Sequence, residues 1–272
     1  MPQPFDPIFY VLPLAAGEAL PLYTYGVARG LAIIAVVLVW RYGFRRRGID
    51  PDHAYMAFLW VAPITLLATA MFSFGQFAAL LGEGADPWRV FLLAITRPGG
   101  SSLIAIPVGL LAVLQYARLY GVPTRRFLDV AALSAALALP IQRVGCSAAG
   151  CCYGGATEVP WAVTYDLLLL AYPRVAPLGV PIHPTQLYEA AATLALFITL
   201  IWMFRRNSPD GSVFWSFLGG YGAIRFAVDI LRDDPHPFGE WNGLWGAHLI
   251  YAGAVLAAFV ALRRIRRDSR SD

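Results

Sequence analysis

Residues 22–42 read LYTYGVARGLAIIAVVLVWRY. Arg29 is the only charge inside this run, Arg41 closes it, and no acidic residue occurs in it. At ~1.5 Å per residue in a helix, such a run crosses the ~30 Å hydrocarbon core of a bilayer. Six further runs of this kind follow, giving expected spans at about Leu22–Tyr42, Ala54–Phe77, Gly99–Ala117, Phe127–Val144, Pro184–Phe204, Ser212–Leu231 and Leu244–Leu262. The fold class expected is therefore all-α, a polytopic membrane helical bundle of about seven transmembrane helices. The chain of 272 residues agrees as a whole, with 58% hydrophobic residues, 14% charged residues and a mean hydropathy of +0.58. Soluble domains sit nearer one half apolar and one quarter charged.

The net charge of +4 could suggest a nucleic-acid partner, but all 21 basic residues are arginine and their runs flank apolar segments. They read as topology signals instead. Fourteen of the 21 fall in one set of connections: Arg41 with Arg45–Arg47, Arg118 with Arg125 and Arg126, Arg205 with Arg206, and the C-terminal group from Arg263 to Arg270. The positive-inside rule then puts the N-terminus outside and the C-terminus in the cytoplasm. The start, MPQPFDPIFYVLPL, lacks the basic flank of a secretory leader. No internal repeat stands out, so a single domain over residues 1–272 is expected, with an external arm at about 145–183. Trp241 and Trp245 are expected as anchors at the membrane interface.

Within the sixth run, GGYGAIRFAVDILRDD places Tyr221, Arg225, Asp229 and Arg232 at i, i+4, i+8 and i+11, on one helical face. Ionisable groups are expensive in lipid, so they normally face a bundle interior or an aqueous cavity and mark function. A purely structural Arg225–Asp229 pair is the alternative. Arg143, at the edge of the fourth run, adds a third cation near the same membrane face. Planar guanidinium forks suit phosphate or carboxylate oxygens, and at headgroup depth an anionic phospholipid fits better than a soluble anion. HPTQLYEA, His183–Ala190, opens the fifth run with Pro184 in its first turn and with Gln186 and Glu189 on nearby faces.

All three cysteines lie in LPIQRVGCSAAGCCYGG, residues 139–155, as Cys146, Cys151 and Cys152. Four readings stay open: a small disulfide loop, a metal site with His183 as fourth ligand, a reactive thiolate near Arg143, and plain packing.

Three motifs together resemble the prolipoprotein diacylglyceryl transferase family. HPTQLYE resembles its H-P-[ST]-Q-L-Y-E, YGAIRFAVDILRDD its arginine-bearing sixth-span motif, and QRVGCSAAGCCYGG stands in place of its glycine–asparagine signature. Tyr25-Gly26 and Gly99-Gly100 resemble shorter family features. The resemblance implies a bacterial plasma-membrane enzyme, multi-pass, with its active site toward the outer leaflet. Such an enzyme moves diacylglyceryl from phosphatidylglycerol to the lipobox cysteine of a preprolipoprotein. It needs neither metal nor organic cofactor, and no nucleic acid.

Carried over by position, Arg143 looks like the arginine that holds the phospholipid headgroup, and Gly154 and Tyr221 match family positions. Arg232, from the stripe, and Gln186, from HPTQLYE, are expected to bind the headgroup beside them. Arg225, Asp229, Tyr25, His183 and Cys151 are the catalytic candidates. The pattern departs in several places, Asp229 for a family glutamate and Ala105 and Ile106 for glycines among them. Cys146 stands where the family has asparagine and Cys151 where it has glutamate, and Ile104 takes the place of a family histidine. The proton acceptor therefore falls to Asp229, His183 or a cysteine. Two other functions remain to be weighed: the same lipid donor with a different acceptor, and a non-catalytic membrane protein that binds or transports an anion or lipid. A transporter should show paired repeats with broken helices, which the sequence does not.

Overall fold

The first apolar run forms helix α1, Thr24–Arg46, in a computed structural model that describes residues 8–13, 19–77, 86–88, 102–165, 176–233, 240–241 and 244–271. It is entered from an antiparallel ribbon, β1 (Ile8–Pro13) with β2 (Ala19–Tyr23), which the sequence did not announce. Among the described residues, six more helices follow. They are α2 (His53–Phe77), α3 (Ser102–Leu119), α4 (Thr124–Ala149), α5 (Thr185–Arg205), α6 (Ser212–Asp229) and α7 (Ala247–Ser271). A second two-stranded ribbon, β3 (Glu240–Trp241) with β4 (Leu244–Trp245), precedes α7.

The protein is all-helical apart from these ribbons and isolated bridges, and it is a polytopic membrane protein. Five helices are long and apolar enough to cross a bilayer: α1, α2 over His53–Met71, α4, α5 and α7 over Ala247–Ser269. The other two occupy the expected third and sixth spans. The described apolar part of α3, Ile104–Leu119, is shorter, and α6 carries Arg225 and Asp229 in its length. Large apolar side chains on the lipid-crossing helices stay exposed, Leu38, Leu59, Leu67, Ile198 and Leu256 among them. In a bilayer that surface meets acyl chains.

Two expected boundaries move in ways that matter. The fourth span runs past Val144 to Ala149, so Cys146 is helical and only Cys151 and Cys152 lie beyond the helix end. The sixth stops at Asp229, which leaves Arg232 outside the helix and in a bridge with Gly154. Gly99-Gly100 lies outside the described residues, and so do the side chains of Trp241 and Trp245.

The chain gathers into two compact units, Val37–Ala131 and the remainder, Met1–Val36 with Ala132–Asp272. In the first, α2 packs on α3, and a knot of rings forms its centre. Phe127 meets Trp40, Phe44 and Tyr116 edge-on at centroid distances of 5.2, 5.0 and 5.9 Å. In the second, α6 packs against both α5 and α7, which brings the polar stripe of α6 against α5.

Candidate functional site

Glu189 lies one turn into α5 and is almost fully buried, at 2% exposure. A carboxylate at that depth is tolerable only when paired and hydrogen-bonded. Arg143 Nη2 from α4 donates to its Oε1 at 2.8 Å, and Arg225 Nη1 from α6 donates to its Oε2 at 2.7 Å. The Tyr221 hydroxyl donates to Oε1 at 3.3 Å. One carboxylate thus ties three helices together.

Tyr221, Arg225 and Asp229 lie along α6 as the spacing predicts, while Arg232 joins them from beyond the helix end. Arg225 Nη2 sits 2.6 Å from Asp229 Oδ1, and Arg232 Nη1 reaches the same oxygen at 3.4 Å. The Arg225–Asp229 pair expected as a structural alternative is present, yet it belongs to a larger network. The Tyr251 hydroxyl of α7 lies 3.5 Å from Arg225 Nη2. Of five clustered ionisable residues, three are cationic and two anionic. Each arginine has five N–H donors, and Arg225 Nε is buried with no hydrogen-bond partner among the described residues.

Beside this network the fourth helix ends in a way that assembles the cysteines. Gly150, at φ 70°, takes the left-handed position, Gly150 N donates to Ser147 O at 3.3 Å, and Cys151 N donates to Cys146 O at 3.2 Å. This is the double bond pattern of a glycine-terminated helix, and it folds Cys151 back over Cys146. The three sulfurs lie within 4.8 Å of one another as free thiols. His183 is not part of that group; its Nδ1 is 3.3 Å from the Tyr188 hydroxyl, which also accepts from Trp161 Nε1 at 2.6 Å. Arg143 Nη1 is 4.0 Å from Cys146 Sγ, so the cysteines and the arginine network adjoin.

The start of α5 holds the cysteine turn in place. Gln186 Nε2 donates to Cys151 O at 2.8 Å and Thr185 Oγ1 to Cys152 O at 2.8 Å. Gln186 is thus occupied by the backbone through its nitrogen, while its buried Oε1 has no partner among the described residues. Gly154 comes so close to α5 that a Cβ there would stand 2.7 Å from His183 Cβ and 2.8 Å from His183 O. Only glycine fits. Tyr25, like Cys152, packs against the buried cluster of Cys146, Ala149 and Cys151, on the cysteine side of the site. From the arm, the buried Tyr165 hydroxyl donates to Ser147 O at 2.7 Å, and burial pushes it up to about 12.

The structure therefore joins Arg143, Tyr221, Arg225, Asp229 and Arg232 into one network. It places Cys151, Gln186, Gly154 and Tyr25 along its cysteine flank. Among the described contacts, none joins the His183 ring to the arginines. Glu189 as the hub and Tyr251 were not among the expected site residues. The HPTQLYE motif held the signal for Glu189, since an acidic residue one turn into an apolar helix needs a cationic partner.

A bundle of helices long and apolar enough to cross a bilayer, which buries Arg143 and Arg225 and half-buries Arg232 around two carboxylates, defines the class: a multi-pass membrane protein with a buried polar network. A family model described as prolipoprotein diacylglyceryl transferase matches residues 13–265, and the chain belongs to that family of transferases. It is 28% identical over 269 residues to the phosphatidylglycerol–prolipoprotein diacylglyceryl transferase of Geobacter sulfurreducens, covering 96% of this chain and 97% of that one. It is 28% identical over 220 residues to the like-named Clostridium tetani protein, covering 79% and 83%. With the like-named Vibrio vulnificus protein it shares 34% over 183 residues, covering 65% and 62%.

Proposed function

We propose that this chain transfers the diacylglyceryl group of phosphatidylglycerol to the lipobox cysteine thiol of a preprolipoprotein, at the outer face of a bacterial plasma membrane. The observation that carries this reading is the single carboxylate, Glu189, held between Arg143 and Arg225. It aligns two forks while engaging only one amino group of each, leaving further N–H donors for a phosphate. The thiolate sulfur attacks the glyceryl carbon, the bond from that carbon to the phosphate oxygen breaks, and glycerol phosphate leaves with the electron pair. Negative charge grows on the departing phosphate, where fixed cations stabilise it most.

The acceptor's proton goes to Asp229 or His183. Cys151 is buried and donates through sulfur to Cys146 O at 3.7 Å, a placement that suits the cysteine cluster better than attack on lipid. Ile104 at the family histidine place favours a second version, in which the donor is the same but the acceptor differs. Purified protein in nanodiscs containing phosphatidylglycerol, incubated with a lipobox peptide, should yield peptide heavier by one diacylglyceryl group. Glycerol phosphate release without peptide modification points to another acceptor, and no lipid turnover at all removes the enzymatic reading. A reporter inserted near Gly179 should read external and one fused after Arg206 cytoplasmic; the reverse pattern removes the outer-face assignment.

A further inference from the structure

The lipid chemistry above leaves the three cysteines without a task. Cys146 and Cys151 are buried, and Cys152 is partly open. Adjacent residues of an extended strand point to opposite sides; here Cys152 adopts φ 61°, a left-handed backbone that a cysteine rarely accepts. That conformation is strained and persists where the surrounding structure over-determines it. Its effect is to let both neighbours converge on Cys146, with all Sγ separations inside 4.8 Å.

We propose that Cys146, Cys151 and Cys152 form a three-thiolate site for a soft, thiophilic metal ion, and that its occupant is Cu(I). Three sulfurs about 2.3 Å from a common centre in one plane stand ~4 Å apart, so the observed triangle has to contract by less than about 1 Å. Thiolates select Cu(I), zinc and iron–sulfur clusters over hard cations. Zinc in structural sites takes four ligands, and among the described residues no His, Asp or Glu completes the group. A trigonal sulfur set suits Cu(I) instead. Three thiolates around a monovalent ion carry two negative charges, and two cations stand by. Arg143 Nη1 is 4.0 Å from Cys146 Sγ, and Arg232 also bears electrostatically on Cys152. The ion enters past Cys152 and staples the turn after α4, whose carbonyls are held by Thr185 and Gln186.

The test uses the full-length protein in detergent, reduced and anaerobic, titrated with Cu(I) against a competing chelator. One equivalent should bind with a near-ultraviolet thiolate-to-copper band, and copper X-ray absorption should give three sulfur neighbours at about 2.3 Å. Cys152→Ser should lower affinity at least ~10-fold and leave two sulfurs. Binding no tighter than that of the triple serine variant overturns the proposal. So does a copper shell of fewer than three sulfurs in the unaltered protein, a reading that needs no variant to fold. Zn(II) outcompeting Cu(I) with an oxygen or nitrogen fourth ligand also overturns it.

Discussion

The unit from Val37 to Ala131 holds one buried ion pair, Arg47 Nη2 at 3.6 Å from the fully buried Asp129 Oδ2, among the described residues, and a ring cluster on Phe127. In the other unit buried charge sits beside cysteines, a glycine cradle and tyrosine hydroxyls, and three guanidiniums share two carboxylates. The first arrangement is built mainly from ring contacts. The second is built from donors and acceptors, with three guanidiniums, two carboxylates and two tyrosine hydroxyls in one network. Ring packing holds a fold. An interior that gathers several cations is fit for an anionic guest.

Substitutions can break that contrast. Glu189→Ala should have the largest effect, because it removes the described carboxylate partner of Arg143 and one of the two carboxylates on Arg225. Stranding buried cations costs about 3–5 kcal/mol, so thermal melting should drop sharply and lipid transfer should vanish with the fold. Phe127→Ala should cost about 3–5 kcal/mol by opening a cavity, yet the protein that stays folded should keep its turnover per folded molecule. Equal loss of turnover per folded molecule in the two variants would erase the distinction.

Arg143→Ala sharpens the contrast further. Glu189 keeps Arg225, so melting should change little, while turnover should fall on the order of 100- to 1000-fold. Arg143→Lys should recover only part of it, because an ammonium cannot make the forked contact. Wild-type turnover in the alanine variant would show that the network is structural after all.

The smallest effect belongs to the arm. Tyr165→Phe removes the shorter of the two described hydrogen bonds to Ser147 O, Gly150 N remaining, and should cost about 1 kcal/mol, read as a modest fall in melting temperature. The same hydroxyl predicts a pH dependence. Its folded value is raised, so its stabilisation is complete below the ordinary tyrosine value of ~10 and is lost as pH rises through about 12. The phenylalanine variant should lack that component of alkaline loss.

Much of this molecule is legible in its residues, for identifiable reasons. Helices that cross lipid carry their own signal, because length and hydropathy are local, and the ion pairs of Arg225, Asp229 and Arg232 follow from spacing along one chain segment. The hub was harder. Glu189 meets Arg225 across 36 residues and Arg143 across 46, and no periodicity within a helix reports which faces will meet. The helical extension to Ala149 was written in Gly150, but an apolar-run reading stops at the first charge. The ribbons before α1 and α7 are too short to leave a pattern.

The distribution of these charges among helices also bears on how the chain is put into the membrane. On α6, Arg225 and Asp229 are one turn apart and bonded, so that helix can enter lipid nearly neutral. Arg143 on α4 and Glu189 on α5 have no such companion in the described ion pairs of their own helices, and a bare charge in a lipid-crossing helix carries an insertion cost that reaches about 3 kcal/mol at the centre. Each is relieved only when the helices come together. A nascent chain in which α5 has not met α4 and α6 therefore displays an unshielded carboxylate to lipid. That single group distinguishes an unfinished copy from a finished one.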